Sequence, residues 1–169
     1  MVRLRETLRQ FSVFEGLPDP AIGRLDSQCV WRDYEPNDLI IDEHEEADDV
    51  YFILNGKVRV FVRAPTGKQT TLADIGDGEF FGELAALDTR TRSATIVALT
   101  RVTLAKMPGR VFRDTVYENR TVAEAIMRLI VSYVRTLNTR LSEQRYLNVN
   151  SRIVAELLRL ARPGRDDPN

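Results

Sequence analysis

The stretch DVYFILNGKVRVFVRAPTGKQTTLADIG, residues 49–76, sets three β-like runs one after another: "YFIL", "KVRVFV" and "QTTLADI". Each is short, rich in β-branched and aromatic residues, and bounded by turn residues, so each reads as a strand. Asn55-Gly56 is the strongest hairpin signal in the chain and predicts pairing of the first two runs. "PTGKQ" (65–69) predicts a second hairpin. Outward from this stretch the same signature recurs in "CVWRDY" (29–34), "DLII" (38–41), "SATIVAL" (93–99) and "RVTLAKM" (101–107). Many short strands at regular spacing predict an α+β, mainly β chain built on an antiparallel barrel or jelly roll.

The flanks read differently. "RLRETLRQF" (3–11) predicts a short amphipathic helix, and Pro18-Asp19-Pro20 marks a turn before another short helix. From Arg110 to Arg162 there is no glycine and no proline. Apolar residues there recur at helical spacing on two stripes, one through Val122, Ile126, Leu129, Tyr133 and Leu137, the other through Ile130, Val134, Leu137 and Leu141. Two stripes on one long helix imply two partners, the barrel and a second copy of the helix. Ile126, Ile130, Tyr133, Val134, Leu137 and Leu141 are therefore the expected dimer interface, and Arg128, Arg135 and Arg140 a solvated face. Asn150 or Ser151 in "NVNS" is the expected cap of a further helix, "RIVAELLRLA", ending at Pro163-Gly164. The expected division is a barrel with N-terminal helices (1–116), a long dimerisation helix (117–146) and a hinge with one more helix (147–169).

Composition excludes several functions. At 169 residues, 43% apolar and 29% charged, the chain supports one core, with or without an appendage. The N-terminus has no apolar h-region, and no apolar run approaches the roughly 18 residues of a membrane span. A cytoplasmic protein is expected. One cysteine, Cys29, allows no internal disulfide and reads as a small buried residue. One histidine, His44, sits in the acidic loop "DEHEEADD" and reads as neither ligand nor base. No catalytic residue, metal or cofactor is expected. A net charge of −1 makes the chain, by itself, a poor binder of nucleic acid.

The remaining stretch is "FFGELAALDTRTRSAT", residues 80–95. Phe80 and Phe81 should anchor it in the core, while Gly82 lets a ligand approach the backbone. "GELAALD" predicts one or two helical turns whose N–H groups point at whatever sits against Gly82–Leu84. Arg92 adds a planar cationic fork suited to a phosphate, and Ser93 adds a hydroxyl donor. Glu83 beside such an anion makes sense only if the ligand also has a hydroxyl to donate. A phosphate next to a free ribose hydroxyl describes a cyclic nucleotide.

These residues resemble the phosphate-binding cassette of cyclic-nucleotide-binding domains, matching at the glycine, glutamate, arginine, small hydroxyl residue and alanine. "DDVYFILNGKVRVF" and "GDGEFFGE" are similar to that family too, and "RYLNVNSRIVAELLRLA" is similar to the segment after the dimerisation helix of CRP/FNR-type (catabolite-activator) regulators. The resemblance implies that Glu83 binds the ribose 2′-hydroxyl and that Arg92 and Ser93 bind the cyclic phosphate. It implies backbone contacts from the Gly82–Leu84 region and Ala94, and apolar contacts to the purine from Val60 and Leu72. Asn138 falls where the family reads the adenine edge, beside Leu137 where a threonine is usual. Asn37 and His44 occupy turns where the family tends to place glycine. The implied fold is a β jelly roll with short N-terminal helices and a long dimerisation helix, and the implied ligand is cAMP, with cGMP the alternative. The implied function is the sensor module of a regulator whose winged helix-turn-helix is missing here, through truncation or because the sensor stands alone. The competing reading is a non-enzymatic dimerisation or regulatory domain of the same fold that acts alone or binds a different ligand.

Overall fold

Eight strands make two four-stranded antiparallel sheets in the computed structural model, which describes residues 7–64 and 66–146 together with Val154 and Leu157. They are β1 (Val30–Tyr34), β2 (Leu39–Ile41), β3 (Val50–Asn55), β4 (Val58–Arg63), β5 (Gln69–Ile75), β6 (Phe80–Phe81), β7 (Thr95–Ala98) and β8 (Val102–Met107). One sheet runs β1-β8-β3-β6 and the other β2-β7-β4-β5. This alternation of strands between sheets is the expected jelly roll. The helices are α1 (Asp19–Gln28), α2 (Glu83–Asp88), α3 (Gly109–Glu118) and α4 (Arg120–Tyr146).

The core has two apolar layers, and β3 is buried on both sides. Between the sheets, Tyr51 and Ile53 join Ile41, Val58, Phe81, Ile96 and Leu104. On the other face, Phe52 is ringed by Phe11, Phe14, Phe80 and Phe112 at centroid distances of 5.1 to 6.4 Å. The run "VYFI" is therefore apolar at every position, where a strand with one wet face would alternate. Burying each of these large side chains contributes about 1.5–3 kcal/mol.

Two local expectations are corrected. First, Asn55-Gly56 is no hairpin: β3 and β4 belong to different sheets. Gly56, at φ +99°, crosses the β7–β8 turn so closely that a Cβ would stand 2.3 Å from the Arg101 carbonyl oxygen. The glycine serves close approach at a corner between sheets. The β4–β5 connection is a true hairpin, closed by the bidentate cross-strand pair Arg59–Asp74 with both bonds at 2.7 Å.

Second, the described part of the N-terminal segment forms two 3-10 turns, Leu8–Gln10 and Ser12–Phe14, and no α-helix. Its buried residues are Leu8, Phe11, Val13 and Phe14, of which Leu8, Phe11 and Phe14 recur every third position, the 3-10 period. The Asp26 carboxylate of α1 accepts from the Leu8 amide at 2.8 Å and the Thr7 hydroxyl at 2.9 Å, tying the turns down. Ahead of the expected long helix, the glycine-free, proline-free run carries a separate one, α3. Asn119 separates α3 from α4 with φ −124° and ψ 108°, and its Nδ2 donates to the Thr115 carbonyl at 2.8 Å. The side chain takes the acceptor that a continuing helix would have given to a backbone amide.

The chain divides into two compact units at Ile126/Met127. The expected cap at Asn150 or Ser151 lies outside the described residues. So does most of "RIVAELLRLA", of which Val154 and Leu157 are helical and exposed.

Candidate anion-binding site

Phe80 and Phe81 form β6 and pair with Phe52 and Tyr51 of β3, which fixes where the next residue must turn. That residue, Gly82, sits at φ +88° and caps α2. A Cβ here would meet both Arg92 Nη1 and the Asp49 carbonyl oxygen at 2.7 Å. Only glycine fits: the conformation is left-handed and the space is already filled.

What fills it is the Arg92 side chain, 3% exposed. Nη1 donates to the Gly82 carbonyl at 3.1 Å and Nη2 to the Asp49 carbonyl at 2.8 Å. Nε is buried and has no hydrogen-bond partner among the described residues. The backbone of Arg92 is clasped as well: its amide donates to Glu45 O at 3.1 Å, and its carbonyl accepts from the His44 amide at 3.0 Å. His44 makes that clasp at φ +72°, and Asn37 turns at φ +74°. Both are the conformations in which the resembling family favours glycine.

Glu83, in the first turn of α2, is 4% exposed, so the cassette buries one carboxylate and one guanidinium. Buried charge is costly unless compensated by partners, which marks such positions as functional candidates. Ala94 is buried, while Ser93 and Leu84 are exposed. Thr95 and Ile96 of β7 pair with Phe61 and Val60 of β4, so Val60 lies on the strand beside the end of the cassette. Leu72 is the unpaired residue of a β-bulge on β5, between partners of Val60 and Phe61. Asn138 belongs to the second unit and lies exposed on α4.

Three residues beside Arg92 were not singled out from the sequence. Tyr51 stacks on Phe81 at 5.1 Å, with the Arg92 guanidinium 5.9 Å and the Lys106 ammonium 5.8 Å from its ring centroid. Lys106 pairs with Asp49 at 2.8 Å. Burial lifts the Tyr51 phenol above its ordinary pKa, with Lys106 pulling against it. The hydrogen bond to Asp49 lifts the Lys106 ammonium. An inward lysine on β8 has no motif to announce it, and a carbonyl acceptor such as Asp49 O has no sequence signature at all. Elsewhere, burial and then Asp26 push the Cys29 thiol up to about 12, away from reactivity at neutral pH.

Of the six expected interface positions, Ile126 is 4% exposed within the chain's own first unit and has almost no surface to offer a partner. Ile130 is half-buried, and Tyr133, Val134, Leu137 and Leu141 are exposed. Among the described residues no helix is long and apolar enough to cross a membrane, and no group of His, Cys, Asp and Glu could hold a metal ion.

A family model described as "Cyclic nucleotide-binding domain" matches residues 31–119. The chain belongs to that family. Its cassette, Arg92 clasp and paired sheets all fall within or beside the matched span. This cyclic nucleotide-binding domain is 28% identical over 156 residues to a CRP-like cAMP-activated global transcriptional regulator of Mycobacterium tuberculosis, covering 92% of the chain and 70% of the regulator. Among solved structures it resembles the catabolite activator protein of Thermus thermophilus, with a TM-score of 0.70 and 27% identity. That match covers 79% of the chain and 63% of the activator, so the chain spans less than two thirds of it. It also resembles the N-terminal domain of a transcriptional regulator from Streptomyces coelicolor A3(2), with a TM-score of 0.60, 28% identity, and coverage of 79% and 94%.

Proposed function

We propose that this domain is a sensor of cAMP, binding the nucleotide at Gly82–Leu84 and Arg92–Ala94 and acting as the ligand-responsive part of a CRP-like transcription regulator. One observation carries the reading: Arg92 is buried with its Nη groups on backbone carbonyls and, among the described residues, its Nε unpartnered, under a glycine whose missing Cβ makes the room. A cyclic phosphate seated there accepts from the guanidinium and from the first amides of α2. Glu83 accepts from the ribose 2′-hydroxyl, Ser93 donates to the phosphate, and Val60 and Leu72 pack on the purine. Asn138 reads the adenine edge from α4, the helix that pairs with a second copy. The mycobacterial regulator's description as cAMP-activated supports cAMP over cGMP.

The test is thermal. A ligand that binds only the native state stabilises it by about 2.7 kcal/mol at a hundredfold excess over its dissociation constant. cAMP should therefore raise Tm by several degrees, and cGMP by less. Hydrogen bonds to charged groups are worth about 1.5–3 kcal/mol, so Arg92→Ala should cost one to two decades in affinity. Arg92→Lys loses the planar fork and should be costly too. No shift with any cyclic nucleotide at millimolar concentration would leave the competing reading, a regulatory domain with a different effector.

A further inference from the structure

A second arginine completes a circuit behind the anion site. Arg113, on α3, donates from Nη1 to the Asp48 carboxylate at 2.8 Å and to the Ala86 carbonyl at 2.7 Å. Ala86 lies one turn along α2 from Gly82, whose carbonyl accepts from the Ala86 amide at 3.3 Å and from Arg92 Nη1. Asp48 precedes Asp49, whose carbonyl accepts from Arg92 Nη2. The path closes on itself: Arg92, Gly82, Ala86, Arg113, Asp48, Asp49, and back to Arg92.

The start of α3 is shaped to admit this. Gly109 is buried, and a Cβ on it would stand 2.3 Å from the Asp48 carbonyl oxygen and 2.6 Å from its Oδ2. A glycine at the head of a helix is otherwise a poor choice, since it gives up helix propensity. Here its missing side chain makes room for Asp48 against α3. An exposed ion pair contributes little, but this guanidinium is mostly buried and holds a fixed backbone acceptor as well as a carboxylate.

We propose that Arg113 is a positioning residue for Arg92: it holds α2 and the Asp48–Asp49 segment at the spacing that aims the Arg92 guanidinium. It acts through Gly82 and Asp49 and not by touching the ligand. The consequence for nucleotide affinity rests on the sensor reading above; the consequence for the Arg92 geometry does not.

The experiment follows the Arg92 Nε–H resonance in the ¹⁵N-labelled chain, assigned by its loss in Arg92→Lys, alongside cAMP titrations. Arg113→Ala should displace the ligand-free resonance and weaken cAMP binding about tenfold, the scale of coupling within one hydrogen-bond network. Arg113→Lys, which keeps the charge and a donor, should restore part of both. Leu25→Ala, a core truncation in α1, should lower Tm and change neither. A folded Arg113→Ala with an unmoved resonance overturns the proposal. If Arg113→Ala does not fold, Asp48→Asn is measured in its place: a displaced resonance supports the proposal, an unmoved one overturns it. If the parent binds no cyclic nucleotide, the sensor reading falls and the resonance alone still decides.

Discussion

Gly82 and Arg92 are a lock and its bolt at the scale of single residues. The φ of +88° favours glycine, and the bolt itself occupies the place where a Cβ would be. Gly82→Ala therefore carries two penalties, left-handed strain and a displaced buried guanidinium, together about 1–3 kcal/mol. Denaturant unfolding should show that loss, and cAMP affinity should fall with it because the guanidinium must move. An alanine variant as stable as the parent and binding equally well would mean that Arg92 is not held where affinity depends on it. These residues were the ones to single out from sequence: Glu83 and Arg92 carry their chemistry in their side chains, and Gly82 in lacking one. What holds Arg92 was not legible. Its acceptors are the carbonyls of Gly82 and Asp49, and every residue in the chain has a carbonyl.

Elements carry the lesson further, because the same local signals were answered differently by tertiary context. The strand positions followed from alternation and turn residues. The pairing of β3 did not, since Asn-Gly marks a sharp turn without saying whether the flanking strands share a sheet. The loop between β2 and β3 behaves likewise. His44 adopts φ +72° there, with its amide on the Arg92 carbonyl, a conformation uncommon for any residue but glycine. Its imidazole is exposed and 3.9 Å from the Glu43 carboxylate, too far for a strong bond. His44→Gly removes left-handed strain of about 1–2 kcal/mol and adds roughly 0.5–1 kcal/mol of unfolded-state entropy. The net should be a gain of about 0–1.5 kcal/mol, with Tm rising by up to about 6 °C, since 1 kcal/mol moves Tm by about 2–4 °C at this size. Nucleotide affinity should stay as it was, because the amide that clasps Arg92 is retained. A calorimetric Tm below the parent's would show that the imidazole contributes more than its exposure suggests.

For the molecule as a whole, the open question is what covers α4. Met127, Val134, Leu137 and Leu141 are exposed and Ile130 half-buried, spaced by three and four residues in alternation. That is the a/d pattern of a two-helix seam, with Val131 and Tyr133 on its flanks. Ile126 and Val122 lie on the same helix but are buried within the first unit, so the seam starts only at the boundary between units. The sequence showed both stripes. It could not show where one ends, because burial by the barrel and burial by a partner both ask for the same apolar residues. We propose that this face pairs with a second copy: exposed contiguous apolar patches mark interaction surfaces, and a self-complementary one would close as a two-fold dimer. Light scattering at micromolar concentration should return twice the chain mass. Leu137→Asp places a carboxylate on the seam of both copies at once, and should give a monomer with an unchanged barrel. Because Leu137 adjoins the proposed base-reading Asn138, that monomer should also bind cAMP more weakly. A parent that is monomeric with and without cAMP would remove the dimer and leave the anion site standing. A Leu137→Asp variant that stays dimeric would move the interface off α4.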